Sequence, residues 1–239
     1  MEVTFLGMGP GGALSLTAAA AAALEHADCL IGSRRLLEEC SLAPGAPRLF
    51  STKAAEIVET LAGGDWNFPC VLYSGDTGFH SGARTLLPLL RERNIPVRIL
   101  PGISSLQYFA AQLGRPWQEW SIVSAHGLHC RPVGEVLAAH GRPVFFLTGG
   151  ARGAGELCRQ LAQSGLGHLT ATVGENLSYP EERIRSGPVY ELAGQETAPL
   201  SVLLVEGYDP PANAPRSQGL DDGVFLRGDV PMTKQEVRA

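Results

Sequence analysis

The chain has 239 residues, of which 44% are hydrophobic and 18% charged; it carries enough apolar material for a buried core and too little charge for global disorder. Its 29 glycines and 17 prolines point to many tight loops, and no glycine period marks a fibrous repeat. The net charge of −5 excludes a nucleic-acid binder built on bulk charge.

The alanine-rich stretch Ala18–Leu24 is too short to span a bilayer, and the N-terminus lacks the cationic start of a signal peptide. A cytoplasmic protein is expected.

Val3–Leu6 reads as a strand broken at Gly7-Met8-Gly9-Pro10-Gly11-Gly12, and a helical stretch follows over Leu14–Leu24. Cys29–Ile31 is a second strand, followed by helical Arg34–Glu39; Arg48–Phe50 is a third, followed by helical Ala54–Leu61. Cys70–Tyr73 ends in Ser74-Gly75-Asp76-Thr77-Gly78, Ala83–Arg93 is helical, and Val97–Leu100 ends at Pro101-Gly102. This alternation predicts a mainly parallel sheet covered by helices.

The pattern changes near Gly114-Arg115-Pro116, a natural boundary. Strands are predicted at Ser121–Ser124, Val144–Leu147, Leu169–Val173 and Val202–Val205, with helices at Gly134–Ala139 and Gly155–Gln163. Arg183–Ile184 and Val189–Tyr190 read as short edge strands. The expected architecture is α/β in two domains: residues 1–113 with a mainly parallel sheet and residues 114–208 with a mixed sheet. Residues 209–239 begin as a proline-rich linker and have too little apolar periodicity to form a core.

The five cysteines are scattered without a C-x-x-C, which suits a reducing compartment. His126-Gly127-Leu128-His129-Cys130 matches no familiar zinc spacing, and no metal is expected. The basic residues are arginines apart from Lys53 and Lys234. That skew fits either genomic composition or the use of guanidinium forks to hold carboxylates.

Ligands of open parallel sheets sit beyond the carboxyl ends of the strands. Three loops fall there: Gly7–Gly12, Gly75–Phe79 and Pro101–Ser105. The first satisfies G-x-G-x-x-G through Gly7, Gly9 and Gly12, but the second strand ends at Gly32-Ser33-Arg34 without the carboxylate that would hold a ribose. Pro10 also removes an N–H from that loop. Arg34 could meet a 2′-phosphate, so an NADP-dependent oxidoreductase stays open as the alternative, beside a glycine turn that serves packing alone.

Taken together, these residues resemble the tetrapyrrole methylases. Gly7-Met8-Gly9-Pro10-Gly11 with Leu16-Thr17 is similar to that family's opening; Ser74-Gly75-Asp76-Thr77-Gly78-Phe79 resembles its second signature and Pro101-Gly102-Ile103-Ser104-Ser105 its third. Ser124-Ala125-His126-Gly127 and Gly174-Glu175-Asn176-Leu177 resemble the branch that methylates precorrin at C-5 in cobalamin synthesis. The likeness covers about residues 1–207. The stretch Phe225–Arg238 resembles the start of the decarboxylating C-15 methyltransferase, which some organisms fuse to the C-5 enzyme. Departures are Gly12-Ala13 where the family often has Asp-Pro, Thr77 for a proline, and Leu128 for an arginine.

The resemblance implies a homodimer of two-domain subunits that bind S-adenosylmethionine in the cleft between domains and release S-adenosylhomocysteine. It assigns Pro10, Gly75, Asp76, Thr77, Phe79, Ser104, Ser105, Leu147, Thr148, Asn176, Leu177, Leu200 and Ser201 to the cofactor, and Gly9, Gly11 and Ser124 to a precorrin substrate. His126 is a base or a hydrogen-bonding contact; Asp76 faces the sulfonium or, first, the N–H groups of its own turn. Arg84, Arg131 and Arg152 lie beside these motifs and are either carboxylate partners or surface charges. Methylation at another ring position and a module that only holds the tetrapyrrole are the remaining alternatives. The partner expected besides substrate is the C-15 domain of the same polypeptide, with no nucleic acid and no membrane.

Overall fold

The computed structural model describes residues 1–11, 15–126, 130–149 and 153–210. The first half alternates strand and helix: β1 (Val3–Gly7), α1 (Ala18–Glu25), β2 (Cys29–Gly32), α2 (Arg34–Glu39), β3 (Arg48–Phe50), α3 (Ala54–Gly63), β4 (Pro69–Tyr73), α4 (Ala83–Glu92) and β5 (Val97–Leu100). The strands form one parallel sheet in the order β3-β2-β4-β1-β5. β1 is buried along its whole length, as expected for an apolar strand covered on both faces. Phe5, Ile31 and Val71 face Ile57, Leu61, Leu86 and Leu90 of α3 and α4. Leu6, Leu30 and Leu72 face Ala20, Leu24, Leu36 and Leu37 of α1 and α2.

The second half contains α5 (Ser105–Gln112), β6 (Ser121–Ser124), α6 (Pro132–Ala138), β7 (Val144–Leu147), α7 (Ala154–Leu161), β8 (Thr170–Glu175), β9 (Arg183–Pro188), α8 (Val189–Leu192) and β10 (Ser201–Glu206). Its sheet runs β6-β7-β10-β8-β9, with β6 and β7 parallel and the other neighbours antiparallel. Helices α6, α7 and α8 cover one face through Val136, Leu157, Leu161 and Val189. On the other face, Leu106 and Phe109 of α5 pack with Phe145, Leu177, Val202 and Leu204. Helix α5 therefore ties the end of the first sheet to the second.

Several expected elements differ. Val189–Tyr190 is not an edge strand but the start of α8: Pro188 precedes its first turn, Val189 is fully buried, and the Tyr190 N–H bonds the Gly167 carbonyl at 3.0 Å. The strand expected at Arg183–Ile184 extends to Pro188 because it pairs residue by residue with β8. Helix α1 begins at Ala18, where the Thr17 hydroxyl accepts from the Ala20 N–H at 3.1 Å; the expected start at Leu14 lies outside the described residues. Beyond Leu161 the helical path ends at a kink, where Ser164 and Gly165 leave helical φ/ψ and Gly165 takes a φ of +82°. Residues 211–239, with most of the expected linker and the Phe225–Arg238 stretch, are outside the described residues.

Candidate active site

The carboxyl ends of β1, β4 and β5 come together through glycine. Gly9 and Gly75 form an antiparallel bridge, with the Gly9 N–H to Gly75 O at 3.1 Å and the Gly75 N–H to Gly9 O at 2.7 Å. Both take positive φ, +76° and +68°, which L side chains rarely adopt. A Cβ on Gly102 would lie 2.3 Å from the Gly75 carbonyl oxygen, and one on Gly7 would lie 2.5 Å from the Gly102 nitrogen. The three loops thus meet main chain to main chain.

Asp76 ties two of them: Oδ2 accepts from the Gly78 N–H at 2.8 Å and Oδ1 from the Gly102 N–H at 3.1 Å. Of the two roles open to Asp76, the geometry shows the turn contact, extended across to the third loop.

This junction borders a cavity between the two sheets. Pro10, Gly75, Asp76, Phe79 and Ser105 line it from the first half; His126, Leu147, Thr148, Leu177, Leu200 and Ser201 line it from the second. Ser74, His80, Gly174, Tyr179, Pro199 and Val202 complete the wall, and motif reading did not assign these to the site. Tyr179 stands only two positions beyond the Asn176-Leu177 signature, yet its aim into the cleft depends on the turn that follows β8. Apolar carbon dominates the floor: Phe79 packs against Phe145 at 6.4 Å between ring centroids, and Leu177 is buried with it.

Other assigned residues stand one step back from the cavity. Ser104 is the N-cap of α5; its hydroxyl accepts from the Gln107 N–H at 3.1 Å, while the Gln107 side chain accepts the Ser104 N–H at 2.9 Å. Thr77 is buried, and its hydroxyl donates to the Leu100 carbonyl at 3.5 Å. Asn176, at φ +46°, turns the chain after β8, and its N–H bonds the Leu200 carbonyl at 2.8 Å. Gly9 is occupied by its bridge to Gly75, and Ser124 ends β6 half-buried. Gly11 lies under the Tyr179 ring, where a Cβ would approach to 2.3 Å, and its carbonyl accepts from the Ser15 hydroxyl at 2.7 Å and the Ser178 hydroxyl at 3.0 Å. Arg84 and Arg131 are exposed and absent from the lining, and Arg152 is outside the described residues.

His126 is fixed from one side. Its Nδ1 lies 3.2 Å from the Thr148 carbonyl, which can only accept, so the neutral ring carries its proton on Nδ1 and leaves the Nε2 lone pair free. Gly149 leaves room for that ring: a Cβ there would come within 1.9 Å of Nδ1. Thr148 in turn donates to the Ser201 carbonyl and shares a hydrogen bond with the Ser201 hydroxyl at 2.8 Å. Behind this wall, Glu175 accepts the Ala198 N–H at 2.9 Å and pairs with Arg185 at 3.0 Å, anchoring the segment that carries Pro199 and Leu200.

The dinucleotide alternative does not fit this geometry. The Gly9 N–H that would face a pyrophosphate is spent on Gly75, and the following helix starts only at Ala18. Arg34 stacks over Phe50, with Cζ 5.4 Å from the ring centroid.

The sequence pattern of the tetrapyrrole (corrin/porphyrin) methylases matches residues 2–193. The chain belongs to this family. A cobalt-precorrin-7 C(5)-methyltransferase of Salmonella typhimurium is 36% identical over 188 residues, covering 78% of this methylase and 90% of its own length. A precorrin-6Y C(5,15)-methyltransferase (decarboxylating) of Sinorhizobium sp is 30% identical over 243 residues, covering 99% of this chain and 57% of the larger protein. Among solved structures, the uroporphyrin-III C-methyl transferase of Thermus thermophilus complexed with S-adenyl homocysteine superposes with a TM-score of 0.69 at 19% identity, covering 86% of this methylase and 97% of that chain. Its likeness shows the shared two-sheet fold. The oxidoreductase alternative is thereby set aside, since both family and loop geometry oppose it.

Proposed function

We propose that this methylase transfers a methyl group from S-adenosylmethionine to C-5 of precorrin-7 or its cobalt-containing counterpart, within assembly of the corrin ring of cobalamin. The observation that carries the reading is the cavity itself. Residues from both halves, assigned from scattered sequence motifs, converge on one apolar cleft at the carboxyl ends of the first sheet, in a chain 36% identical to named C(5)-methyltransferases.

The lining suits the cofactor. Leu147, Leu177 and Leu200 offer an apolar slot for a flat base, and Gly75 brings main chain to the wall without a side chain. Ser105, Thr148 and Ser201 bring polar side chains to the cavity wall. When bound, S-adenosylmethionine supplies an electrophilic methyl group on a sulfonium. The protein's work is then to orient and to exclude water, which Phe79, Leu147 and Leu177 do by walling the cleft with carbon. Asp76 holds the loop geometry through Gly78 and Gly102. His126, held by Thr148 through Nδ1, turns Nε2 to accept either the proton released at the methylated carbon or a hydrogen bond from substrate.

In the same reading, the working unit is a cytoplasmic homodimer whose subunits divide at residues 1–113 and 114–208. Residues 209–239 form a linker and the start of a C-15 methyltransferase domain. The match to the Sinorhizobium protein over 99% of this chain supports that last assignment.

Isothermal titration with S-adenosylhomocysteine, run beside NADP, tests the reading. Saturable micromolar binding of S-adenosylhomocysteine alone, with transfer of labelled methyl to cobalt-precorrin-7, is the expected result. Binding of NADP alone would overturn it.

A further inference from the structure

One arginine on the rim of the cleft, Arg35, takes no part in the roles above. Arg35, near the start of α2, donates from Nη2 to the Ser74 hydroxyl at 3.1 Å and from Nη1 to Glu39 at 3.1 Å and to the Tyr179 hydroxyl. Its Cζ lies 5.9 Å from the Tyr179 ring centroid, and the Tyr179 hydroxyl donates to Glu39 at 2.9 Å. Two of these partners, Ser74 and Tyr179, line the cavity, whereas no lysine or arginine is among the described residues of its lining. The Arg35 side chain keeps 31% of its exposure. A guanidinium has five N–H donors, and these contacts leave one on Nη2 and the one on Nε for a ligand.

Glu39 is itself about one-third exposed, so water screens the pair and Glu39 orients the arginine more than it neutralises it. The Tyr179 ring is set by contact with Gly11, and the turn that carries it is pinned to the first half by the Ser178 hydroxyl on the Gly11 carbonyl. A planar fork held in this way is built for two-point recognition of a carboxylate.

We propose that Arg35 anchors a side-chain carboxylate of the tetrapyrrole substrate at the mouth of the cleft, with Tyr179, Glu39 and Ser74 holding its guanidinium in place. The proposal rests on the methylase reading above, because it takes the substrate to be a polycarboxylate macrocycle.

The test compares the wild-type chain with Arg35→Ala, Arg35→Lys and Tyr179→Phe, each checked for folding by circular dichroism. Two readouts are taken: affinity for uroporphyrin III by fluorescence quenching, and KM for cobalt-precorrin-7 and for S-adenosylmethionine. Arg35→Ala is expected to weaken uroporphyrin binding and raise the tetrapyrrole KM by about tenfold or more. The KM for S-adenosylmethionine should stay within about twofold, and Arg35→Lys should recover part of the loss. Added salt should weaken uroporphyrin binding to the wild type more than to Arg35→Ala, while Tyr179→Phe keeps the salt response.

Equal losses in Arg35→Ala and Tyr179→Phe with the salt response intact would make Arg35 a support for the Tyr179 turn, and would overturn the proposal. So would an unchanged tetrapyrrole affinity in Arg35→Ala, or a wild type that does not bind uroporphyrin. A wild type that binds uroporphyrin through Arg35 but does not methylate cobalt-precorrin-7 would keep the anchor and overturn the methylase reading alone.

Discussion

A single methyl group at Gly102 would strike the Gly75 carbonyl oxygen at 2.3 Å and the Gly7 carbonyl oxygen at 2.7 Å, both of them main chain that cannot rotate away. Gly102→Ala should therefore lower stability by about 1–3 kcal/mol, the usual cost of overpacking, read as a lower urea midpoint. It should also weaken S-adenosylhomocysteine binding, because the loops it would push apart border the cleft. A wild-type midpoint would show that the loops do not pack this closely. Each of these glycines stood in a motif and was legible as a turn former. That Gly7, Gly75 and Gly102 share one contact was not legible, because they are separated by 68 and 27 positions in sequence and meet only where three parallel strands end together.

Helix α5 shows what local chemistry can carry. Its N-terminus is written in the chain as Ser104-x-x-Gln107, a reciprocal cap that announces a helix, although Pro101–Ser105 read first as a loop. Ser104→Ala should cost about 1 kcal/mol in urea unfolding. Its effect on S-adenosylhomocysteine affinity should be small, since the hydroxyl bonds the Gln107 N–H and the residue is not among those lining the cavity. An affinity loss exceeding the stability loss would return Ser104 to the cofactor contacts. The strands β1, β4 and β10 were legible because buried strands are apolar throughout; α8 was misread because a four-residue helix and a short strand share the same apolar pattern.

At the scale of the molecule, the cores on both sides of the cleft bury thiols. Burial pushes Cys29 up from 9.0 to about 11, with Asp28 adding to the shift, and pushes Cys158 up to about 12. Cys70 also rises to about 12, through burial first and then the charge of Asp28 and the nearby Cys29 and Cys40. A thiol whose folded pKa is raised binds its proton more tightly in the native state. The stability it contributes is complete below about pH 9 and is lost as pH rises through the folded values. The free energy of unfolding should hold level up to about pH 9 and fall steadily above it. At pH 8 these three cysteines should resist a thiol reagent until the chain is unfolded. Rapid labelling of the native protein at pH 8 would show that the cores are open.

The alternation of strand and helix, the change of pattern near Gly114 and the glycine loops after the first, fourth and fifth strands can all be read from the chain, because periodicity and turn chemistry are local properties. The chain also holds the motifs whose order marks the family. Which motif residues face the cavity follows from packing between distant segments. The folded arrangement sets Ser104, Thr77 and Asn176 to capping, packing and turning, places His126 against the Thr148 carbonyl, and brings Arg35 and Tyr179, 144 positions apart, to one rim. Those placements depend on how two sheets pack across helix α5, and contacts between distant segments leave no period in the chain that a reader could find.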